Sequence, residues 1–152
     1  MIRKLQNVDI NKVADIWLKT NLEAHDFIPG QYWTSNYEAV KKMLPQAEVY
    51  VYEIEKEIMG FIGLDKEHIE GIFVLDQYQK RGIGKALLNH VKAKKEHLSL
   101  NVYQKNLNAI LFYQREGFCV QYEDVDENTG EKEYRMVWNR LGSNLQNEGN
   151  LL

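Results

Sequence analysis

Residues 79–88 read Gln-Lys-Arg-Gly-Ile-Gly-Lys-Ala-Leu-Leu, and this stretch decides the fold. It follows an apolar run at residues 69–75, which predicts a buried strand, and it leads into an amphipathic run at residues 85–96, which predicts a helix. A strand, a glycine-containing turn and a helix in this order present unpaired backbone N–H groups to an anion. The stretch therefore predicts a pyrophosphate site at the junction of strand and helix.

The turn also supplies glycines and cations that suit an anion. Gly82 and Gly84 have no Cβ atom, so phosphate oxygens can approach the backbone closely. Lys80, Arg81 and Lys85 add their charges to the positive end of the helix dipole. These side chains strengthen the prediction of a phosphate site.

Three phosphate-binding patterns compete for this turn. A Walker A loop needs Gly-x4-Gly-Lys-Ser/Thr, but Gln79 and Ala86 stand where the first glycine and the hydroxyl belong. A dinucleotide fingerprint needs Gly-x-Gly-x-x-Gly, but Leu87 stands at the third glycine. The pattern Gln/Arg-x-x-Gly-x-Gly/Ala, in contrast, fits at each of its defined positions, from Gln79 to Gly84.

A second motif follows downstream. It has the form Asn-x-x-Ala-x-x-Phe-Tyr, then Gly-Phe, at Asn106, Ala109, Phe112, Tyr113, Gly117 and Phe118. Asn106 or Asn108 can cap a helix at residues 109–116, and Gly117 can adopt the left-handed conformation that ends it. Ala109, Phe112 and Tyr113 share one face of that helix because they are spaced by three and four residues.

The two motifs, in this order and at this separation, resemble the two landmarks of the GNAT superfamily of N-acyltransferases. The resemblance covers residues 1–140. It implies an α/β fold (α+β by some schemes) with a mixed, mostly antiparallel sheet of about seven strands and helices on both faces. It also implies two central parallel strands that splay apart, here at residues 68–75 and 98–102.

Other elements follow from periodicity and turn residues. The sequence predicts further strands at residues 1–6, 49–54, 58–64, 118–122 and 134–138, and further helices at residues 9–20 and 36–44. Pro29 and Gly30 predict a loop at residues 25–30. We expect one domain at residues 1–140, and a flexible tail at residues 141–152 because this segment is polar and aperiodic.

The resemblance implies acetyl-CoA as the cosubstrate and assigns residues to it. Backbone groups near Phe73 and Val74 would pair with the pantetheine arm as an added strand does. Asn106 would lie near the pantetheine or the acetyl end. The pyrophosphate would be held along the turn by Gln79, Lys80, Arg81, Gly82, Ile83, Gly84 and Lys85.

The implied reaction is direct acyl transfer from a thioester to an amine in a ternary complex. Tyr113 occupies the motif position of a proton donor to the leaving thiolate, and the alternative is a core aromatic residue whose hydroxyl reaches a backbone group. Glu70 lies on the cofactor strand and is the candidate base, sharing a strand face with Ile72 and Val74. Two alternatives for Glu70 stay open: a solvated charge at the strand end, and a proton carried by water instead.

The acceptor site is expected in the loop between the first two helices. His25, Asp26, Phe27 and Trp33 resemble the acceptor wall of small bacterial GNAT proteins. His25 and Asp26 would bind a cationic amine or relay its proton. The alternative is a loop anchored by its aromatic residues, with His25 merely solvated. Protein or peptide lysine is one acceptor class proposed for this subgroup.

Composition limits the other possibilities. The chain has 152 residues, 44% of them hydrophobic, and a net charge of −3, so no strongly basic face suggests nucleic acid as a partner. Its one cysteine excludes an intrachain disulfide, and no metal is expected from the spacing of its histidines. No apolar run approaches a membrane span, and the start lacks a signal peptide. We expect a cytoplasmic protein, either a monomer or a homodimer.

Three functions remain open at this level. The first is an acetyl-CoA-dependent N-acetyltransferase acting on a small amine, a peptide lysine or an N-terminus. The second is a non-catalytic acyl-CoA sensor or interaction module on the same fold. The third is an unrelated nucleotide-binding protein, which the failed Walker A and dinucleotide patterns disfavour.

Overall fold

A computed structural model describes residues 1–140 of the chain. These residues fall into two compact units, one formed by Met1–His90 and the other by the chain from Val91 onward. Within the described residues, no helix is long and apolar enough to cross a membrane.

The first unit contains four strands, each antiparallel to the next along the chain. Short 3-10 turns lie at Asn7–Asp9, Leu44–Gln46 and Asp76–Tyr78. The strands are β1 (Ile2–Lys4), β2 (Glu48–Ile54), β3 (Glu57–Asp65) and β4 (His68–Val74). The helices are α1 (Ile10–Ala24), α2 (Gly30–Ser35), α3 (Tyr37–Met43) and α4 (Ile83–Lys92), the last of which ends beyond the unit.

Helices cover both faces of this four-stranded sheet. On one face, Val49 and Val51 of β2 share a hydrophobic core with Ile16 of α1. Successive side chains of a strand point to opposite faces, and Tyr50 accordingly meets His90 of α4 on the other face, with 4.6 Å between ring centroids. The sheet is therefore buried on both sides.

The second unit contains β5 (His97–Tyr103), α5 (Leu107–Arg115), β6 (Cys119–Val125) and β7 (Lys132–Asn139). β7 pairs antiparallel with both other strands, which gives the order β5-β7-β6. Leu98, Leu100 and Met136 are at most 1% exposed and form the buried part of this sheet. β6, in contrast, is exposed along its whole length.

The predicted fold class is confirmed. The seven strands, four in the first unit and three in the second, pair antiparallel within each unit, and helices accompany them. The splay of two central strands and the single domain at residues 1–140 stay predictions. The predicted tail at residues 141–152 lies outside the described residues.

The helices differ from the sequence prediction in their bounds, and two of them, α2 and α4, show the physical reason. The predicted loop at residues 25–30 ends early, because Pro29 takes the N-cap position of α2 and its carbonyl accepts a hydrogen bond from Tyr32 N at 3.0 Å. The side chain of Trp33, which is only 7% exposed, anchors this short helix. α4 begins two residues before the predicted start, at Ile83, which is 4% exposed, and it ends at Lys92 rather than at residue 96.

A partly buried ion pair joins β1 to the turn that starts α1. Arg3 donates to both carboxylate oxygens of Asp9, at 2.7 and 3.1 Å, and to Glu53 of β2 at 2.8 Å. Asp9 is 6% exposed and also accepts from the backbone N–H of Gln6 at 2.8 Å. The Arg3 guanidinium holds the pKa of Asp9 below its ordinary value of 3.8.

Replacing Asp9 by Asn should therefore destabilise the protein in a pH-dependent way. Because the pKa of Asp9 is lower in the folded state, its stabilisation is present above pH 3.8 and is lost as the pH falls below that value. We expect Asp9→Asn to cost on the order of 2 kcal/mol at neutral pH, and much less in acid. Urea unfolding at both pH values measures this, with the exposed Asp65→Asn as control. An equal cost at both values would contradict the prediction.

Candidate active site

The carboxyl end of β4 is held in one register by an aromatic contact. The Phe73 ring stacks on Phe61 of β3, with 4.7 Å between centroids and an interplanar angle of 24°. The same ring covers Gly71, where an added Cβ would lie 2.3 Å from the Phe73 Cζ. Any larger residue at position 71 would displace the ring, so Gly71 is required by close packing.

The register also decides which backbone groups of β4 face away from β3. Leu75 N donates to Met59 O at 3.0 Å, and Phe73 lies opposite Phe61. Opposed residues in an antiparallel pair alternate between hydrogen-bonded and non-hydrogen-bonded positions. The backbone of Phe73 therefore faces β3, and the backbone groups of Ile72 and Val74 face away from it. Of the two residues predicted to pair with pantetheine, the pairing favours Val74 over Phe73.

Glu70 lies at an irregularity of β4. Gly63 pairs with Gly71 and Leu64 with Ile69, so Glu70 is an extra residue with no opposite residue on β3. The expectation that Glu70 shares a face with residues 72 and 74 assumed unbroken alternation, and the bulge interrupts that alternation. Glu70 is exposed to solvent. Its role as a base stays a prediction.

Gln79 connects the turn to the strand that precedes it. Its side-chain Nε2 donates to the carbonyl oxygen of Val74 at 2.9 Å. Between these two residues the chain makes the 3-10 turn at Asp76–Tyr78. The first residue of the Gln-x-x-Gly-x-Gly motif thus fixes the path of the turn, and its expected contact with pyrophosphate stays a prediction.

The turn itself has the conformation that an anion site requires. Gly82 has φ +84°, and nothing lies within 4 Å of the position its Cβ would take. The first helical bond of α4 runs from Ala86 N to Gly82 O at 2.9 Å, so the N–H groups of Ile83, Gly84 and Lys85 precede it. These groups make a positive helix end next to open space.

The side chains of the turn fit a phosphorylated cosubstrate. Lys80, Arg81 and Lys85 are exposed, and Arg81 lies over the Tyr78 ring at 5.6 Å. Lys80 has φ +64°, a left-handed conformation that costs a residue with a Cβ about 1 kcal/mol or more. The open backbone at Gly82 and three exposed cations suit an anionic group, and their contact with pyrophosphate stays a prediction.

The predicted acceptor residues form an aromatic cluster at the end of α1. The His25 ring stacks on Trp33 at 5.4 Å between centroids, and Phe27 meets His25 edge-on at 5.7 Å. Trp17 packs edge-on against Trp33 at 5.8 Å. The Trp33 Nε1 is buried and has no hydrogen-bond partner among the described residues. Asp26 is exposed, so the structure brings together three of the four predicted residues in one cluster.

Burial changes the chemistry expected of His25. It lowers the pKa of the His25 imidazole to about 4, so the ring is neutral at physiological pH. A neutral imidazole with this pKa is a poor acceptor for the proton of an ammonium group, whose ordinary pKa is about 10.4. This argues against the predicted proton relay and leaves hydrogen bonding as the role open to His25.

In the second unit, α5 begins two residues before the predicted start and ends one residue before the predicted end, and it is capped by the predicted residues. The Asn106 side chain accepts from Ala109 N at 3.3 Å, which caps the helix. At the other end Gly117 has φ +93°, and Phe118 N donates to Tyr113 O at 2.9 Å while Gly117 N donates to Gln114 O at 3.1 Å. These two bonds are the Schellman arrangement expected of the Gly-Phe pair.

Tyr113 is buried among aromatic rings of this unit. It is 8% exposed and lies 5.3 Å from Phe112 and 5.6 Å from Phe118, measured between ring centroids. Burial raises the pKa of the Tyr113 phenol above its ordinary value of 10. The hydroxyl therefore keeps its proton at physiological pH and is suited to donating a hydrogen bond.

Comparisons with known proteins agree with this geometry. Residues 23–139 match the family model of the acetyltransferase (GNAT) domain. The chain is 36% identical over 122 residues to peptidyl-lysine N-acetyltransferase YiaC of Escherichia coli (strain K12), covering 79% of this chain and 84% of that protein. It is 32% identical over 120 residues to peptidyl-lysine N-acetyltransferase YjaB of Salmonella typhimurium (strain LT2), covering 78% and 83%.

A solved structure leads to the same family. Apo YjaB from Escherichia coli superposes with a TM-score of 0.81 at 26% identity, covering 91% of this chain and 96% of that one. The chain therefore belongs to the GNAT acetyltransferase family. It is an acetyl-CoA-dependent N-acyltransferase.

Sequence reasoning missed one polar residue of the acceptor cluster. Asn21 is 4% exposed, donates to Trp17 O at 2.9 Å and contacts His25. A signal was available, because Asn21 lies four residues after Trp17 and four before His25, on the buried side of the helix. A polar residue on an apolar helix face needs a hydrogen-bond partner.

Lys80 permits a test that separates backbone strain from charge. We expect Lys80→Gly to raise the free energy of unfolding by roughly 1 kcal/mol, because glycine accepts the positive φ, and to weaken CoA binding roughly threefold through the lost cation. Lys80→Gln is the matched control, since it loses the cation but keeps the strain. Thermal unfolding and calorimetric titration with CoA measure both effects. Equal stability of the two variants would contradict the strain.

Proposed function

We propose that this chain transfers the acetyl group of acetyl-CoA to the side-chain amine of a peptidyl lysine. The observation that carries the proposal is the end of β4, where the outward-facing backbone of Val74 leads into a turn with three exposed cations and a positive helix end. The lysine class rests on YiaC and YjaB, both named peptidyl-lysine N-acetyltransferases. Small amines are the competing acceptor class.

The proposed reaction is direct transfer. The lone pair of the neutral amine attacks the thioester carbonyl carbon, the C–S bond breaks, and the nitrogen loses one proton while the thiolate gains one. The backbone N–H of Val74 is the proposed donor to the carbonyl oxygen, on which negative charge develops. Its direction away from β3 supports this role.

Tyr113 is the proposed hydrogen-bond donor to the leaving sulfur. The raised pKa of its phenol keeps the proton in place at physiological pH. A thiol has an ordinary pKa of about 8.5, so the phenol is a weaker acid than the thiol it would protonate. The role that these pKa values support is stabilisation of the developing thiolate by a hydrogen bond, with the final proton coming from solvent.

Glu70 is the proposed acceptor of the amine proton, directly or through water. Its position on a β-bulge supports this, because bulges redirect a side chain next to active sites. Its exposure to solvent also makes water a ready carrier. Asn106, which caps α5, is proposed to lie near the acyl end of the cosubstrate.

Replacing Tyr113 by Phe tests the donor role. We expect kcat to fall on the order of a hundredfold, with the Kd for CoA unchanged, because the ring keeps its contacts while the hydroxyl is lost. Tyr122→Phe is the control, since Tyr122 is an exposed tyrosine of the same unit. Thiol release gives kcat and calorimetry gives Kd. If Tyr113→Phe has the same kcat as the wild type, the Tyr113 hydroxyl takes no part in the mechanism.

The acceptor class is tested with matched peptides. An N-terminally blocked peptide with one lysine should release thiol and gain one acetyl group by mass spectrometry, whereas the same peptide with arginine in place of lysine should stay unchanged. If only polyamines or aminoglycosides are acetylated, the proposed peptidyl-lysine acceptor is wrong and the proposed acetyl transfer stands. Binding of CoA with no turnover of any amine would instead favour the acyl-CoA sensor.

A further inference from the structure

The last turn of α1 carries a hydrogen-bond chain that runs through side chains. The Asn21 Nδ2 donates to the carbonyl oxygen of Trp17 at 2.9 Å, and the Asn21 Oδ1 lies 3.1 Å from the Nδ1 of His25. Asn21 is 4% exposed. The order Trp17, Asn21, His25 follows the four-residue spacing of one helix face.

The partners in this chain determine which way the amide points. A backbone carbonyl can only accept a hydrogen bond, so the Asn21 nitrogen must face Trp17 and the Asn21 oxygen must face His25. An amide oxygen also can only accept. The hydrogen bond to His25 therefore requires a proton on Nδ1, and in a neutral ring this restricts Nε2 to accepting.

The backbone and the neighbouring rings hold His25 in place. His25 N donates to Asn21 O at 2.9 Å and Ile28 N donates to His25 O at 3.0 Å, on either side of the residue. The stack on Trp33 and the edge contact with Phe27 limit the orientation of the ring. Burial lowers the pKa of His25 to about 4, so the neutral form is the relevant one.

We infer that Asn21 is a positioning residue that keeps His25 in the Nδ1–H tautomer, so that its Nε2 accepts a hydrogen bond from the acceptor amine. The inference rests on the proposed function for the role of the amine, and on the side-chain geometry for the tautomer. It assigns His25 to binding rather than to proton transfer. An ammonium group has only N–H donors to offer such a site, and a neutral amine can offer an N–H donor while its lone pair stays available for attack, which suits a lysine side chain.

The first measurement is the tautomer, read from the ring nitrogen shifts of ¹⁵N-histidine-labelled protein. His25→Gln identifies the His25 signals among the four histidines. We expect the wild-type ring to be neutral with the proton on Nδ1, and Asn21→Leu to lose this preference. A proton on Nε2 in the wild type, or an unchanged tautomer in Asn21→Leu, would overturn the inference.

The second measurement separates binding from chemistry. In Asn21→Leu, the KM for the lysine peptide should rise about tenfold, while the KM for acetyl-CoA stays the same and kcat changes little. Asn21→Asp keeps an oxygen acceptor for Nδ1 and should restore the proton there, but it loses the donor to Trp17 O and its charge raises the pKa of His25. The peptide KM of this variant should therefore recover only at a pH where the ring is neutral. Asn11→Leu, on the exposed side of α1, is the matched control. A merely structural Asn21 would change both KM values together.

The two readouts distinguish the two proposals. If the wild type acetylates no amine, the proposed function fails, and the NMR experiment still decides whether Asn21 sets the tautomer. If peptides are acetylated but the tautomer change in Asn21→Leu leaves the peptide KM unaltered, the positioning role is wrong and the proposed function stands.

Discussion

The register of β4 against β3 is the constraint on which the candidate site depends. A slip by one residue would exchange the two faces of the strand, and it would remove the Phe73 ring from Phe61 and from the space above Gly71. It would also turn the backbone of Val74 toward β3. The aromatic contact thus does more than fill the core, because it decides which backbone groups remain for a ligand and where the phosphate turn begins.

The turn that follows stores strain, and its neighbours keep it in place. Lys80 adopts a positive φ although it has a Cβ, and Gly82 adopts one beside open space. The Gln79 side chain holds the turn to Val74, and the buried Ile83 fixes the start of α4. Strain of this kind persists only where the surroundings over-determine it, and the predicted contact of the Lys80 cation with pyrophosphate would give it a function.

The sequence predicted the parts that depend on local rules. The cap of α5 at Asn106 and its termination at Gly117 could be predicted from the sequence, because helix caps depend on hydrogen bonds between residues close in the chain. The bulge at Glu70 could not be predicted from the sequence. It arises from the pairing of β4 with β3, and the periodicity of one strand contains no information about that pairing. The start of α2 was missed because Pro29 and Gly30 break helices in general but here precede one that Trp33 anchors.

The properties of His25 and Glu70 in the first unit support a mechanism in which different groups bind the acceptor amine and remove its proton. His25 is neutral and held in an aromatic cluster, which suits recognition of N–H donors but not removal of a proton. Glu70 is solvated on its bulge, so proton exchange there communicates with bulk water. A lysine amine with an ordinary pKa of about 10.4 is mostly protonated at neutral pH. The proton must therefore leave before attack, and a route through solvent needs no buried base.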